Sequence, residues 1–136
     1  MAETTGLRTK LQIRPGARLR LVNAPDEFAR VLSGATDVAL VDARAGYDGA
    51  IVFCQTPADV EAVAEEVLSG LPPDGLLWFA YRKGPAGKAA GLTRDIGWTA
   101  LTARGLEPVR SVAINDAWTG LRFRQTSAIG SRQRPT

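Results

Sequence analysis

Two unbroken apolar runs constrain this 136-residue chain more than anything else in it: Ala50 to Cys54, reading AIVFC, and Leu76 to Tyr81, reading LLWFAY. Neither alternates with polar residues, so each suits a strand covered on both faces. Between them lies the best-marked helix of the chain. Thr56 is a good N-cap, and Pro57 takes the first helical position, where its missing N–H costs nothing. Val60, Val63, Ala64, Val67 and Leu68 recur at helical spacing, and Gly70 ends the segment. Pro72-Pro73-Asp74-Gly75 then turns the chain into the second run. Strand, helix and strand in this order make a parallel pair whose crossover helix covers one face of a sheet. Asp59, Glu61, Glu65 and Glu66 fall off the apolar stripe and read as a solvated face, not a metal cluster.

The rest of the chain continues the alternation. Arg18 to Val22 reads as a strand that Asn23-Ala24-Pro25 ends, because proline has no N–H for a ladder. Asp26 caps a short helix with Phe28, Val31 and Leu32 on its apolar face. Val38 to Val41 is a short strand ending at Asp42. After Tyr81 comes a loop rich in glycine and cations. Thr93 is expected to cap a second long helix running to Arg104, with Ile96, Ala100, Leu101 and Ala103 inside and Gly105 at its end. Val109 to Ile114 and Trp118 to Phe123 form a hairpin around Asn115-Asp116-Ala117. Arg122 and Arg124 alternate with Leu121 and Phe123, which predicts one wet face for the last strand. The order predicts an α/β fold: a mostly parallel sheet with flanking helices and an antiparallel C-terminal hairpin. Residues 1–9 are expected to be a flexible N-terminus, 10–124 a single domain, and 125–136 a disordered basic tail.

Composition narrows the chemistry. The chain has no histidine and one cysteine, Cys54. No histidine-activated nucleophile can form, and no metal site is expected. Cys54, at the end of a buried run, reads as a small apolar filler. A net charge of +3 is too mild to point to nucleic acid, and no basic stripe with interleaved aromatics appears. No apolar run approaches the ~18 residues a membrane span needs. The N-terminus carries no apolar signal segment, so the expected location is the cytoplasm.

Gly84-Pro85-Ala86-Gly87-Lys88 has the wrong spacing for a phosphate-binding loop, and alanine follows its lysine. The loop still concentrates Arg82, Lys83, Lys88 and Arg94, and Lys83 directly follows a strand.

These segments resemble the class I S-adenosylmethionine methyltransferases. KLQIRPGARLRLVNAP, residues 10–25, is similar to their first-strand segment. LPPDGLLWFAY, residues 71–81, resembles the turn and strand of their second half, and GLEPVRSVAINDAW their closing hairpin. The stretch from Leu11 to Arg124 also resembles a family of short bacterial proteins of unknown function, through LVNAP, DGLLWFAYRKG, LTRDIGW and NDAWTGLRF. That family usually carries an acid where this chain has Gly91, and often one at Asn115, so the resemblance assigns neither a ligand role. It implies a three-layer, Rossmann-like fold in which the last strand lies beside Leu76 to Tyr81. Asp116 and Trp118 would then approach Lys83 and Asp95 at one sheet edge. Those four are the candidate ligand-binding residues, for a small anionic or planar ligand; no catalytic residue is assigned. Arg18 and Arg20 would sit in an inner strand, with packed stems and heads reaching solvent. An acid in the cofactor enzymes stands where Asp42 does; here a turn role is favoured.

Two departures from the methyltransferase pattern shape the functional expectation. The first strand of those enzymes ends in closely spaced glycines that let the backbone approach the cofactor, whereas Asn23-Ala24-Pro25 stands here. Only about six residues separate the second strand from the third, while a parallel crossover takes about a dozen or more. The expectation is therefore a non-catalytic binding module that uses no cofactor, S-adenosylmethionine included. The alternatives are an enzyme, methyltransferase-like, acting on a small anionic substrate, and a weak nucleic-acid binder.

Overall fold

The computed structural model describes residues 9–33, 38–41, 46–72 and 75–126. The apolar runs become parallel neighbours at the centre of a six-stranded sheet. In chain order the elements are β1 (Arg18–Val22), α1 (Asp26–Ser33), β2 (Ala39–Val41), β3 (Gly49–Phe53), α2 (Pro57–Ser69), β4 (Leu76–Arg82), α3 (Gly84–Ala90), α4 (Thr99–Thr102), β5 (Leu106–Ala113) and β6 (Trp118–Gln125). The sheet order is β2-β1-β3-β4-β6-β5. The first four are parallel, and β6 enters antiparallel between β4 and β5. The α/β sheet with an antiparallel finish is thus as the sequence predicts.

Period-two alternation splits the core into two layers. Ala50, Val52, Leu77, Phe79, Leu121 and Phe123 face α2, with Val60, Ala64 and Val67. Leu19, Ile51, Phe53, Trp78 and Trp118 face the other way, against Phe28 and Leu32 of α1 and Leu11 and Ile13 before β1. The Trp78 indole N–H donates to the Leu11 carbonyl at 2.9 Å, fixing that leading segment across the sheet.

The α2 start is a capping box: Thr56 Oγ1 accepts the Asp59 N–H, and Asp59 Oδ2 accepts those of Thr56 and Gln55. Asp59 is therefore a structural cap. Glu66 stays exposed, as expected of the solvated face, but is not unpartnered. It pairs with Arg20 through two contacts, at 2.8 and 2.9 Å. Arg20 lies in the second strand of the sheet, and α2 crosses above it. The hydrogen bond to Glu66 raises the guanidinium pKa against the opposing effect of burial.

Several local expectations change. Residues 84–90 form α3, where the sequence reads as a loop. Pro85 starts it, and Gly91 in the left-handed region (φ 94°) ends it, with the Leu92 N–H donating to the Gly87 carbonyl at 2.9 Å. The long helix expected from Thr93 shrinks to α4. Gly97 is left-handed (φ 100°), the Thr93 N–H donates to the Ile96 carbonyl, and Trp98 Nε1 donates to the Thr93 carbonyl at 2.6 Å. That closed loop leaves Ile96 62% exposed, not inward. Trp98 packs edge-on or tilted against Phe79, Tyr81 and Phe123. The face of β6 expected to be wet is half-buried at Arg122 and Arg124, and Arg122 Nη1 donates to Gln12 Oε1 at 2.8 Å. The tail expected at 125–136 lies outside the described residues beyond Thr126, as do Gly34, Pro73 and Asp74.

Residues 42–48 alone carry the chain from β2, past β1, to β3. So short a crossover is feasible because β2 has three residues and ends level with Arg20, while β3 begins level with Leu19. The chain retreats by about one residue, not by a whole strand length.

Candidate functional site

Chain direction across the sheet reverses between β1 and β3: β1 leads outward to β2, and β3 leads the other way to β4. In an open α/β sheet ligands bind outside the carboxyl ends of the strands at this point. Here those ends are Asn23, Gln55 and Lys83. Asn23 occupies the left-handed region at φ 57°. Asparagine tolerates that region better than most non-glycine residues. Beyond it, the Ala29 N–H donates to the Pro25 carbonyl at 3.0 Å, starting α1.

A cleft of about 500 Å³ opens at this point, lined by Asn23, Pro25, Phe53, Gln55, Asp59 and Trp118. That volume lies within the usual small-molecule range of ~300–1,000 Å³. Pro25 borders the cleft without filling it. Phe28 lies beneath, its ring edge-on to Phe53 with centroids 4.9 Å apart. Trp118 forms a wall, edge-on to Phe53 at 5.0 Å. The Arg82 guanidinium lies over the indole, 5.2 Å from the ring centroid, a cation–π contact worth about 0.5–2 kcal/mol.

The hairpin turn reaches the same edge. Arg82 pairs with Trp118, and the Lys83 N–H donates to the Ala117 carbonyl at 2.9 Å. Asn115 Oδ1 accepts the N–H groups of Ala117 and Trp118, so this asparagine holds the turn in shape. Lys83 is half-buried and its ammonium has no ion-pair partner among the described residues; Asp116 is exposed at the tip. Lys83, Asp116 and Trp118 are thus brought to one edge. Asp95 is held in the loop before α4, where it pairs loosely with Arg94 at 3.8 Å. No hydrogen bond or ion pair among the described residues joins it to the other three. Arg94 and Asp95 instead act on Tyr81, on the opposite face of β4 from Arg82; burial raises the Tyr81 pKa most, Arg94 lowers it and Asp95 raises it.

Sequence reasoning missed Asn23, Gln55 and Asp59 as cleft residues and gave the stacking cation no role. A signal existed for two of them. Asn before Ala-Pro favours a left-handed turn, and Thr-x-x-Asp before an apolar run is a capping pattern. Asp42 lies outside the described residues.

The fold is that of the class I S-adenosylmethionine-dependent methyltransferases. The N-methyltransferase NodS from Bradyrhizobium japonicum WM9 superimposes with a TM-score of 0.54 at 16% identity, over 91% of this chain and 94% of that one. DhpI bound to SAH gives 0.57 at 14% identity, over 91% and 83%. Fibrillarin from Aeropyrum pernix with natively bound S-adenosyl-L-methionine gives 0.53 at 14% identity, over 90% and 73%. No family model matches the chain, and no curated protein matches it in sequence.

Two expectations are corrected at this point. The absence of a cofactor rested on Asn23-Ala24-Pro25 in place of the glycines, and the non-catalytic module on that loop together with the short connection after the second strand. The neighbours in fold are methyltransferases, some with S-adenosylmethionine or SAH bound. The premise of a blocked loop also fails. Asn23 reaches the backbone conformation that glycine would supply, and the cleft beside it stays open.

Proposed function

We propose that the protein is an S-adenosylmethionine-dependent methyltransferase acting on a small anionic substrate. The observation that carries this reading is the open cleft beside left-handed Asn23, at the point where chain direction reverses in a methyltransferase-like sheet. Asn23 and Gln55 would hold the cofactor from the ends of β1 and β3, and Trp118 and Phe53 would exclude water from one wall. The bound cofactor supplies an activated methyl group. Lys83, half-buried and without an ion-pair partner among the described residues, offers a positive charge to an anionic substrate group at the neighbouring strand end. With no histidine in the chain, any substrate proton falls to a carboxylate such as Asp116, to a lysine, tyrosine or cysteine, or to water.

Titration calorimetry with S-adenosylmethionine and SAH tests the reading. Saturable binding is expected, with SAH competing. No heat of binding at millimolar cofactor would refute it. Lys83→Ala is expected to leave cofactor affinity intact and to raise the KM for an anionic substrate.

A further inference from the structure

We infer a second small-molecule site at the opposite, amino end of the inner strands, suited to an organic carboxylate with an apolar body. A cavity of about 610 Å³ opens there, at the start of β1 and β3, and Gln12, Arg14, Ala17, Asp48, Leu76 and Arg122 line much of it. It is larger than the cleft at the carboxyl ends and shares no residue with it.

Two guanidinium groups face this space, and each is placed differently. Arg14 is exposed and has no ion-pair partner among the described residues. Arg122 is half-buried on β6, and Gln12 Oε1 accepts its Nη1 at 2.8 Å. Gln12 does this from a left-handed backbone position, φ 60°, closed by its N–H to the Thr9 carbonyl at 3.2 Å. A non-glycine residue there costs about 1–2 kcal/mol, so strain is spent on fixing a cation at a cavity wall, as binding sites do. Asp48, the acid of the wall, makes no ion pair with Arg14 among the described residues. Asp48 Oδ2 accepts the Arg18 backbone N–H at 2.9 Å. Ala17 and Leu76, both half-buried, supply an apolar floor. Planar guanidinium forks match a carboxylate through paired N–H donors, and the floor favours an attached apolar group.

Benzoate is the probe, titrated into the full chain and followed by amide chemical shifts. Saturable shifts are expected around residues 12–17, 48 and 122. Arg14→Glu, at an exposed position, is expected to weaken binding tenfold or more with the fold intact. Lys83→Ala is expected to leave it unchanged. Inorganic phosphate, which lacks the apolar body, is expected to bind at least tenfold more weakly. Absence of saturation at tens of millimolar benzoate would overturn the site. So would indifference to Arg14→Glu, loss of binding in Lys83→Ala, or equal affinity for phosphate.

Discussion

Asn23 borders the cleft to which the proposed function assigns the cofactor, and its backbone angle can be tested directly. Glycine adopts φ 57° without penalty, whereas a β-branched residue meets steric strain there. Asn23→Gly is expected to leave the melting temperature and cofactor affinity near their original values. Asn23→Val is expected to cost about 1–2 kcal/mol of stability and to abolish cofactor binding, read by thermal melts and calorimetry. Cys54 offers a second test at this scale. Burial pushes its thiol up to about 12, with the Asp59 charge adding to the effect. The unfolded thiol ionises near 9. Between these values the folded chain holds a proton that the unfolded chain has lost, so stability falls as pH rises through this window. The slope reaches at most about 1.4 kcal/mol per pH unit. Comparing denaturant melts of the wild type and Cys54→Ala from pH 8 to 11 should reveal a steeper alkaline loss in the wild type. Native Cys54 should also resist thiol reagents at pH 8, since the thiolate is the reactive form.

Helices show where sequence patterns stop being informative. The α2 segment was legible because cap, proline, apolar stripe and terminal glycine all agree, and the structure gives Pro57–Ser69. The α3 segment was not, because Gly84-Pro85-Ala86-Gly87 carries loop residues and no apolar stripe. Its helix depends on tertiary contact. A Cβ at Gly87 would collide with the Arg82 carbonyl oxygen and lie 2.9 Å from that of Leu92. Both obstacles are backbone atoms, so neither can swing aside. Gly87→Ala is expected to lift α3 off the end of β4, at a cost of about 2 kcal/mol or more, visible as lower protection of residues 82–92 in hydrogen exchange. By contrast Thr56→Ala removes only a capping bond and is expected to cost about 1 kcal/mol. The predicted helix from Thr93 failed for a related reason. Thr93, Ile96 and Trp98 satisfy one another's backbone groups in a closed loop, which propensity does not foresee.

Across the whole molecule, the strands were legible because buried ones announce themselves as unbroken apolar runs and β6 as an alternating one, while their order, with the last strand beside β4, was what the methyltransferase resemblance implied. The convergence of Lys83, Asp116 and Trp118 followed from that order. The cleft did not, because it depends on how Asn23, Pro25, Gln55 and Trp118 meet from separate elements, and the second cavity did not, because it depends on how residues before β1 cross the sheet. That leading segment is integral to the core. Leu11 is fully buried and Ile13 nearly so, between α1 and the sheet. The Leu11 carbonyl accepts the indole N–H of Trp78, itself fully buried in β4. Lys10 Nζ reaches the Ala113 carbonyl of β5 at 3.3 Å, tying the segment to the far hairpin. Leu11→Ala should therefore remove packing at the junction of three elements, at about 2–5 kcal/mol. Loss of Trp78 shielding should accompany it, as a red shift of tryptophan emission. If the segment were merely laid on the surface, the substitution would cost under ~0.5 kcal/mol and leave emission unchanged. A chain beginning at Pro15 provides the stronger form of the test. It would uncover Trp78 and leave an indole N–H without its acceptor in an apolar layer, so it is expected to lose cooperative unfolding in denaturant.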